Sequence, residues 1–197
     1  KGVSIKVPEG GIVALLGANG AGKSTTLKAV SGLLKHEDGE VTDGSIEFMG
    51  ERIDKIRADK IAKMGIVQVI EGRKVFEHLT VEQNLLSVME LLGMRGKVRR
   101  QRCNDLLEQF DITHIRKSRA AKLSGGERRR LEIARSLVSD PEIIMLDEPT
   151  AALGVAQTAE VLNLVDRVRD LMERSQFKRQ PTVIARLSDR SVGSDVR

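Results

Sequence analysis

A glycine-rich segment near the N-terminus limits the possible folds more than any other feature of the chain. Residues 17–24 read Gly-Ala-Asn-Gly-Ala-Gly-Lys-Ser, which matches the P-loop pattern G-x-x-x-x-G-K-[S/T]. An apolar run at residues 12–16 precedes the loop, and a helical pattern over residues 23–34 follows it. The order of buried strand, glycine turn and helix is typical of a phosphate-binding loop in a parallel α/β protein.

The residues of this loop have distinct expected roles. The glycines let the backbone direct successive N–H groups at phosphate oxygens, and the following helix adds its positive N-terminal end. Lys23 can reach the outer phosphates as a point charge, and the Ser24 hydroxyl can bind Mg²⁺. An ordinary glycine turn before a helix is the alternative. The predicted phosphate-binding set is Gly17, Asn19, Gly20, Ala21, Gly22, Lys23, Ser24 and Thr25.

A second motif is an apolar strand that ends in two acids. Residues 143–146 are Ile-Ile-Met-Leu, and Asp147 and Glu148 follow directly. In a parallel sheet these acids would lie at the same edge as the glycine loop. Asp147 can hold Mg²⁺ through water, and Glu148 can orient and deprotonate an attacking water. An acidic turn after a strand is the alternative, which the glycine loop disfavours.

A third motif, Leu-Ser-Gly-Gly-Glu-Arg at residues 123–128, opens another helix. Ser124 and Glu127 have the spacing of a capping box, which predicts an ordinary helix N-terminus. Gly125 and Gly126 leave backbone N–H groups uncovered there, which makes a second anion site. One domain has no use for two such sites, so we expect this helix end to meet a nucleotide held by another copy.

The composition restricts the class of protein. The chain has no Trp or Tyr and only 4 Phe, so its core must be aliphatic. The net charge of +5 is mild, and its densest runs, residues 95–102 and 128–130, fit a solvated helix face or an acidic partner better than nucleic acid. The single cysteine, Cys103, excludes an intrachain disulfide and fits a reducing compartment. The abrupt start suggests that upstream residues are missing.

Strand and helix patterns alternate along the chain. Strands are predicted at residues 3–7, 12–16, 45–49, 65–69, 143–146 and 181–185, and helices at 23–34, 54–63, 79–122, 125–138 and 155–173. This order predicts a P-loop core with a mostly parallel sheet, an antiparallel β piece near the N-terminus and an inserted α-helical subdomain. We expect the core to comprise residues 1–76 and 123–197 and the subdomain residues 77–122.

The three motifs, in this order and spacing, resemble the nucleotide-binding domain of ABC transporters over residues 1–173. The Leu-Ser-Gly-Gly-Glu segment is nearly diagnostic of that family. The resemblance implies ATP and Mg²⁺ as ligands, with Lys23 and Glu148 catalytic and Ser24 and Asp147 at the metal. It also implies a head-to-tail homo- or heterodimer, in which each P-loop faces Ser124, Gly125, Gly126 and Glu127 of the other copy.

The same resemblance implies membrane permease subunits as partners, and a cytoplasmic location at the inner face of the plasma membrane. Residues 1–86, which include Val-Ile-Glu-Gly-Arg-Lys-Val-Phe at 69–76, look most like ATPase subunits of branched-chain amino acid importers. The family places a glutamine near the metal after the strand at 65–69. In this register Glu71 takes that position, as a catalytic and metal residue, with Gln68 as the second choice.

Three features depart from the family pattern. Gly154 stands where an aspartate often crosses the dimer, no aromatic residue is present for stacking adenine, and no histidine follows the strand at 181–185. Because that histidine normally contacts the γ-phosphate, the alternative function is a nucleotide-gated dimerisation module with impaired hydrolysis. A soluble ATPase acting on DNA or ribosomes is less favoured, because long coiled-coil inserts and tandem domains are absent from the sequence.

Overall fold

The computed structural model describes residues 2–70, 75–148 and 182–186, and the elements below lie within these ranges. The strands are β1 (Ile12–Leu15), β2 (Glu47–Phe48), β3 (Glu51–Arg52), β4 (Ile66–Val69), β5 (Ile143–Asp147) and β6 (Thr182–Arg186). The α-helices are α1 (Lys23–Val30), α2 (Ala58–Lys63), α3 (Val81–Leu91), α4 (Gly96–Gln109) and α5 (Gly125–Ser136). Short 3₁₀ turns lie at Leu33–Glu37, Thr113–Ile115, Ala120–Lys122 and Leu137–Ser139.

The main sheet has four described strands in the order β1-β6-β5-β4, and all of its neighbouring pairs are parallel. β2 and β3 form a separate antiparallel pair. The predicted fold class, a P-loop α/β core with a small antiparallel piece and additional helices, is therefore confirmed. Within the described ranges, no helix combines the length and apolar character needed to cross a membrane.

Two apolar clusters cover the two faces of the sheet. Successive side chains of a strand point to opposite faces, and β5 follows this alternation. Ile144 and Leu146 belong to the larger cluster with α3, α4 and α5, whereas Met145 belongs to the cluster that contains Leu27 of α1. β5 is thus covered on both faces, which explains why its sequence is continuously apolar rather than alternating.

The helical segment shares the larger cluster with the sheet. Leu85 of α3 and Leu106 and Leu107 of α4 are fully buried there, together with Leu131 of α5. The N-cap of α3 is Thr80, whose side chain forms a complete capping box with Gln83, and Gly93, just beyond the end of the helix, takes a positive φ of 73°. The boundary drawn for a subdomain at residues 77–122 stays a prediction, because these helices and the sheet form one continuous core.

Several predicted elements differ from those in the structure. Residues 3–7 form no strand. β1 lies at an edge of the described sheet and is only half-buried, because Val13 and Leu15 pack against a core cluster while Ile12 is exposed. α1 ends at Val30 instead of residue 34, because Ser31 caps the helix and Gly32, with a positive φ, turns the chain. The predicted helix over residues 79–122 is divided into α3, α4 and short turns. The predicted helix at 155–173 lies outside the described residues.

The packing of α3 leads to a stability prediction. Leu85 is fully buried and Leu91, on the same helix, is 86% exposed. We expect Leu85→Ala to lower the free energy of unfolding by about 2–5 kcal/mol, because it leaves a cavity in the shared core. Leu91→Ala should change it by less than about 0.5 kcal/mol. Urea denaturation followed by circular dichroism measures both, and equal effects would contradict the described packing.

Candidate nucleotide-binding site

The loop between β1 and α1 has a backbone conformation that its glycines permit. Gly17, Gly20 and Gly22 have φ values of 151°, 84° and 86°, which side-chain-bearing residues rarely adopt. A Cβ added at Gly20 or Gly22 would meet no atom within 4 Å. Glycine is therefore needed there for its φ angle and not for lack of space, and the space beside the loop is open.

Lys23 is the first residue of α1, and its side chain folds back over the loop. Its Nζ donates hydrogen bonds to the backbone oxygens of Gly17 and Ala18, the latter at 2.9 Å. Lys23 is only 8% exposed, although lysine is rarely buried without a partner. An ammonium group has three donors, so the two carbonyl contacts fix the charge at the loop and leave capacity for an anionic ligand.

The N-terminus of α1 differs from those of α3 and α5. α1 starts after Gly22 with no side-chain cap and no acid in its first turn, whereas α3 and α5 both have complete capping boxes. The first N–H groups of a helix have no partner inside the helix. Together with the glycine turn and Lys23, these donors form a positive surface suited to phosphate groups.

The two predicted acids lie at the end of β5, and the strand register aligns them with the loop. Asp147 pairs in register with Arg186 of β6, and Arg186 pairs in register with Leu15 of β1. Leu15 lies two residues before Gly17. Neighbouring strands are about 4.8 Å apart, so the backbones of Asp147 and Leu15 are separated by roughly 10 Å. Asp147 shares its sheet face with Met145, which packs in the cluster containing α1, so its side chain is directed toward that helix.

Glu148 follows the strand in an unusual conformation. It has a φ of 46° and is 8% exposed, and Asp147 is 2% exposed. A buried glutamate in the left-handed region is rare, and such residues concentrate at functional sites. The structure therefore holds both carboxyl groups at the sheet edge where parallel α/β proteins bind their ligands.

Gln68 lies elsewhere in the structure. It pairs in register with Met145, two residues before Asp147, and its Oε1 accepts a hydrogen bond of 2.6 Å from Ser31 Oγ. Ser31 caps the C-terminal end of α1, about 12 Å along the helix axis from Lys23. The structure thus brings Gln68 to the far end of α1 and not to Ser24. Glu71, the preferred residue for this role, lies outside the described residues.

The third motif forms the N-terminus of α5. Ser124 Oγ accepts a hydrogen bond from the Glu127 backbone at 3.3 Å, and Glu127 Oε2 accepts bonds from the backbone and side chain of Ser124, both at 2.8 Å. The bonds from Ser124 hold the pKa of Glu127 below its ordinary value. Ser124 is exposed and Gly125 is half-buried, so this helix end faces outward and remains accessible to another molecule.

Three further contacts lie near these motifs. His114 Nε2 lies 3.9 Å from Glu127 Oε1, and Arg129 forms a buried ion pair of 2.7 Å with Glu132 on α5. The Arg135 guanidinium lies 4.7 Å from the centre of the Phe76 ring. The spacing of Arg129 and Glu132 on one helix predicts their pair, whereas the other two contacts depend on how α5 packs against distant segments, which the order of residues does not reveal.

The donor set fits a magnesium ion bound together with phosphates. In the described part of the chain, no cluster of three or more His, Cys, Asp and Glu side chains could hold a metal alone. Mg²⁺ prefers oxygen ligands and is commonly held by one or two protein groups plus substrate phosphates. The Ser24 hydroxyl, half-buried in the first turn of α1, and the Asp147 carboxylate provide this kind of ligand.

Known proteins with similar sequences are ATP-binding subunits. The chain is 43% identical over 164 residues to an uncharacterized ABC transporter ATP-binding protein of Rhizobium meliloti, covering 83% of this chain and 59% of that protein. It is 37% identical over 169 residues to the lipopolysaccharide export system ATP-binding protein LptB of Haemophilus influenzae, covering 85% and 68%. A probable ABC transporter ATP-binding protein of Azorhizobium caulinodans is 40% identical, and the chain spans 56% of its length.

Solved structures with the same fold are ATP-binding cassettes. The cassette MJ0796, in a dimeric post-hydrolysis state bound to ADP and phosphate, has a TM-score of 0.75 at 25% identity, covering 95% of this chain and 78% of that chain. CbiO1 of Clostridium perfringens, part of an ABC transporter complex, has a TM-score of 0.78 at 28% identity, covering 96% and 71%. The ABC transporter family model matches residues 1–151. With the loop, the acids and the α5 motif in place, the chain belongs to the ABC transporter family, as an ATP-binding domain.

Proposed function

We propose that this chain binds Mg-ATP at residues 17–25 and hydrolyses it between two copies, to drive transport through a membrane permease. The observation that carries the proposal is that the glycine loop, buried Lys23, and the buried acids Asp147 and Glu148 all lie at the carboxyl end of the parallel strands. The chain spans less than two thirds of two of the relatives it matches, so this activity is inferred from the site and the family.

The binding step relies on fixed positive groups. Lys23, held by the carbonyls of Gly17 and Ala18, would neutralise charge on the outer phosphates, and the first N–H groups of α1 would donate to their oxygens. Mg²⁺ supplies further charge neutralisation when it is bound. Ser24 and Asp147 are the protein groups that would hold it.

The hydrolytic step relies on Glu148. Phosphoryl transfer needs little covalent help from the protein, because positioning and charge stabilisation provide most of the catalysis. A carboxylate at the end of β5 would accept a hydrogen bond from the attacking water and take its proton. The left-handed backbone at Glu148 sets the direction in which this side chain leaves the strand.

The head-to-tail dimer is supported by α5. In the capping box, the backbone N–H groups of Ser124 and Glu127 are each hydrogen-bonded to the side chain of the other residue, so the helix end is ordered without a partner. It is nevertheless exposed, and the similar cassette MJ0796 is dimeric with bound ADP and phosphate. In the proposed dimer, residues 124–127 of one copy contact the γ-phosphate bound by residues 17–25 of the other. Homo- and heterodimers are both compatible with this arrangement.

The location and cargo are inferred from similarity. A permease partner would keep the chain at the cytoplasmic face of the plasma membrane. The resemblance of residues 1–86 to ATPase subunits of branched-chain amino acid importers supports amino acid import, whereas the similarity to LptB supports lipopolysaccharide export. Copurification with permeases of the two classes distinguishes these cargoes.

A second candidate function is a nucleotide-gated dimerisation module with little hydrolysis. It is favoured by the sequence itself, because no histidine occurs after His114. A nucleotide-binding titration performed beside a phosphate-release assay separates the two functions. Rapid phosphate release would eliminate the second candidate, and tight ATP binding without release would replace the first.

The role of Lys23 gives a prediction for binding. Lys23→Ala should weaken ATP binding by about 100-fold or more, because a charge-assisted contact to phosphate is lost. Lys28→Ala, on the same helix but paired with Glu37 at the surface, should bind ATP normally. Isothermal titration calorimetry measures both affinities. Tight ATP binding by the Lys23→Ala protein would refute the site.

The role of Glu148 gives a prediction for turnover. Glu148→Gln should preserve ATP affinity and lower the rate of phosphate release by about 100-fold or more, because the amide cannot take a proton from water. Glu142→Gln, immediately before the same strand and at its opposite end, is the matched control and should keep the wild-type rate. Unchanged turnover in the Glu148→Gln protein would remove this residue from the mechanism.

The two capping boxes allow a matched test of the dimer. Ser124→Ala and Thr80→Ala each remove one helix cap and should each cost about 1 kcal/mol of stability. Only Ser124→Ala should also lower the ATP turnover number, by roughly 100-fold, because only Ser124 would contact the transition state. Phosphate release at saturating ATP measures this difference. Parallel losses in both variants would mean that α5 has no role beyond the fold.

A further inference from the structure

The turn that joins α3 to α4 exposes apolar side chains that the core does not use. We call residues 91–100 the α3–α4 tip. Leu91 is 86% exposed, Leu92 47% and Val98 69%, while Met94 between them packs partly against the larger cluster. Leu91 and Leu92 continue the helical spacing of Val81, Leu85 and Val88, which predicts that they are buried, whereas the structure exposes both of them.

The same region concentrates positive charge. Residues 91–104 contain 5 cations and no acid, which equals the formal net charge of the whole chain, +5. Arg102 has a structural role, because it donates a 2.7 Å hydrogen bond to the Leu137 backbone oxygen and lies 3.6 Å from Asp140. Four cations remain. Among the described residues, no ion pair or side-chain hydrogen bond is made by Arg95, Lys97, Arg99 or Arg100.

These four cations do not serve the stability of the fold. α4 starts after Arg95 without a side-chain cap, and its first turn contains no acid. Cations near a helix N-terminus are disfavoured by the helix dipole. The tip itself is well defined, because Gly93 has a φ of 73° and the Met94 N–H donates to the Met89 oxygen at 2.9 Å. An ordered turn that exposes both apolar side chains and cations with no role in the fold indicates a binding surface.

We propose that the α3–α4 tip binds the surface of an anionic lipid bilayer. Exposed aliphatic side chains flanked by Lys and Arg are the combination that enters the boundary between headgroups and acyl chains. The leucines and the valine would enter this boundary, and the four cations would contact lipid phosphates. A protein surface with both acidic and apolar residues is the alternative occupant, and the vesicle assay described below distinguishes it from lipid. Nucleic acid is less suitable, because residues 91–104 offer no aromatic ring for base stacking.

This inference rests on the proposed function only for the presence of a membrane beside the protein. It requires neither ATP hydrolysis nor a permease. The tip would give the chain a weak contact with lipid in addition to any contact with its transport partner. A vesicle assay without nucleotide therefore tests it separately from the ATP site.

Cosedimentation of the full chain with lipid vesicles measures the proposed contact. We expect binding to vesicles rich in phosphatidylglycerol, much weaker binding to phosphatidylcholine alone, and loss of binding at high salt. Each cation near such a surface contributes roughly fivefold to partitioning, so Lys97→Glu with Arg100→Glu should reduce it by about 25-fold or more. Lys60→Glu with Lys63→Glu, on exposed positions of α2, changes the net charge equally and should have little effect.

Serine substitutions inside and outside the tip measure the contribution of apolar side chains to vesicle binding. Val98 and Val3 are both 69% exposed, but only Val98 lies in the tip. Leu91→Ser with Val98→Ser should reduce binding to the anionic vesicles by roughly tenfold, because aliphatic side chains no longer enter the lipid boundary. Val3→Ser should leave it unchanged. ATP affinity, measured in parallel by titration, should be the same in all these proteins.

Three results would overturn the proposal. The first is equal vesicle binding by the tip variants and the α2 variant, which would mean that net charge alone is responsible. The second is the absence of binding to anionic vesicles by a chain that still binds ATP. The third is tight binding to poly-glutamate without vesicle binding, which would assign the tip to an acidic protein partner.

Discussion

The site depends on the parallel pairing of β1, β6 and β5. The register aligns Leu15, Arg186 and Asp147 across the sheet. The glycine loop and the acids therefore follow their strands at the same, carboxyl end of the sheet. A shift of one residue in β5 would turn Asp147 to the opposite face, away from α1. Met145 prevents that shift, because it must remain with Leu27 in the cluster on the α1 side.

Much of this arrangement could be predicted from the sequence, since the residues of each motif determine its local backbone conformation. The glycines at 17, 20 and 22 specify positive φ values, and the spacing of Ser124 and Glu127 specifies a capping box. The continuous apolar run of β5 specifies a strand covered on both faces. These are local rules or rules about one strand, and they hold here because the surrounding packing agrees with them.

The remaining features depend on which elements lie next to each other in space, and the linear order of residues does not show this. β1 has the apolar composition of a buried strand, yet its place at the sheet edge leaves Ile12 exposed. Gln68 has a side chain suited to the metal, yet the register aligns it with Met145 and its partner is Ser31. Leu91 continues the apolar spacing of Leu85 and Val88, yet it is the last residue of α3 and is exposed. Each of these three differences concerns where a residue lies in the packed structure and not which type of element contains it.

The two helix ends that we propose as phosphate contacts differ in their capping, which fits the order of events in the proposed cycle. The first turn of α1 has no side-chain cap, so its N–H groups and Lys23 depend on a ligand for full satisfaction. The first turn of α5 is capped by its own Ser124 and Glu127, so it is ordered without a ligand. A helix end that is already ordered loses little conformational entropy when it meets a nucleotide held by another copy. Nucleotide binding would thus begin at α1, and dimer closure would add α5 as a preformed surface.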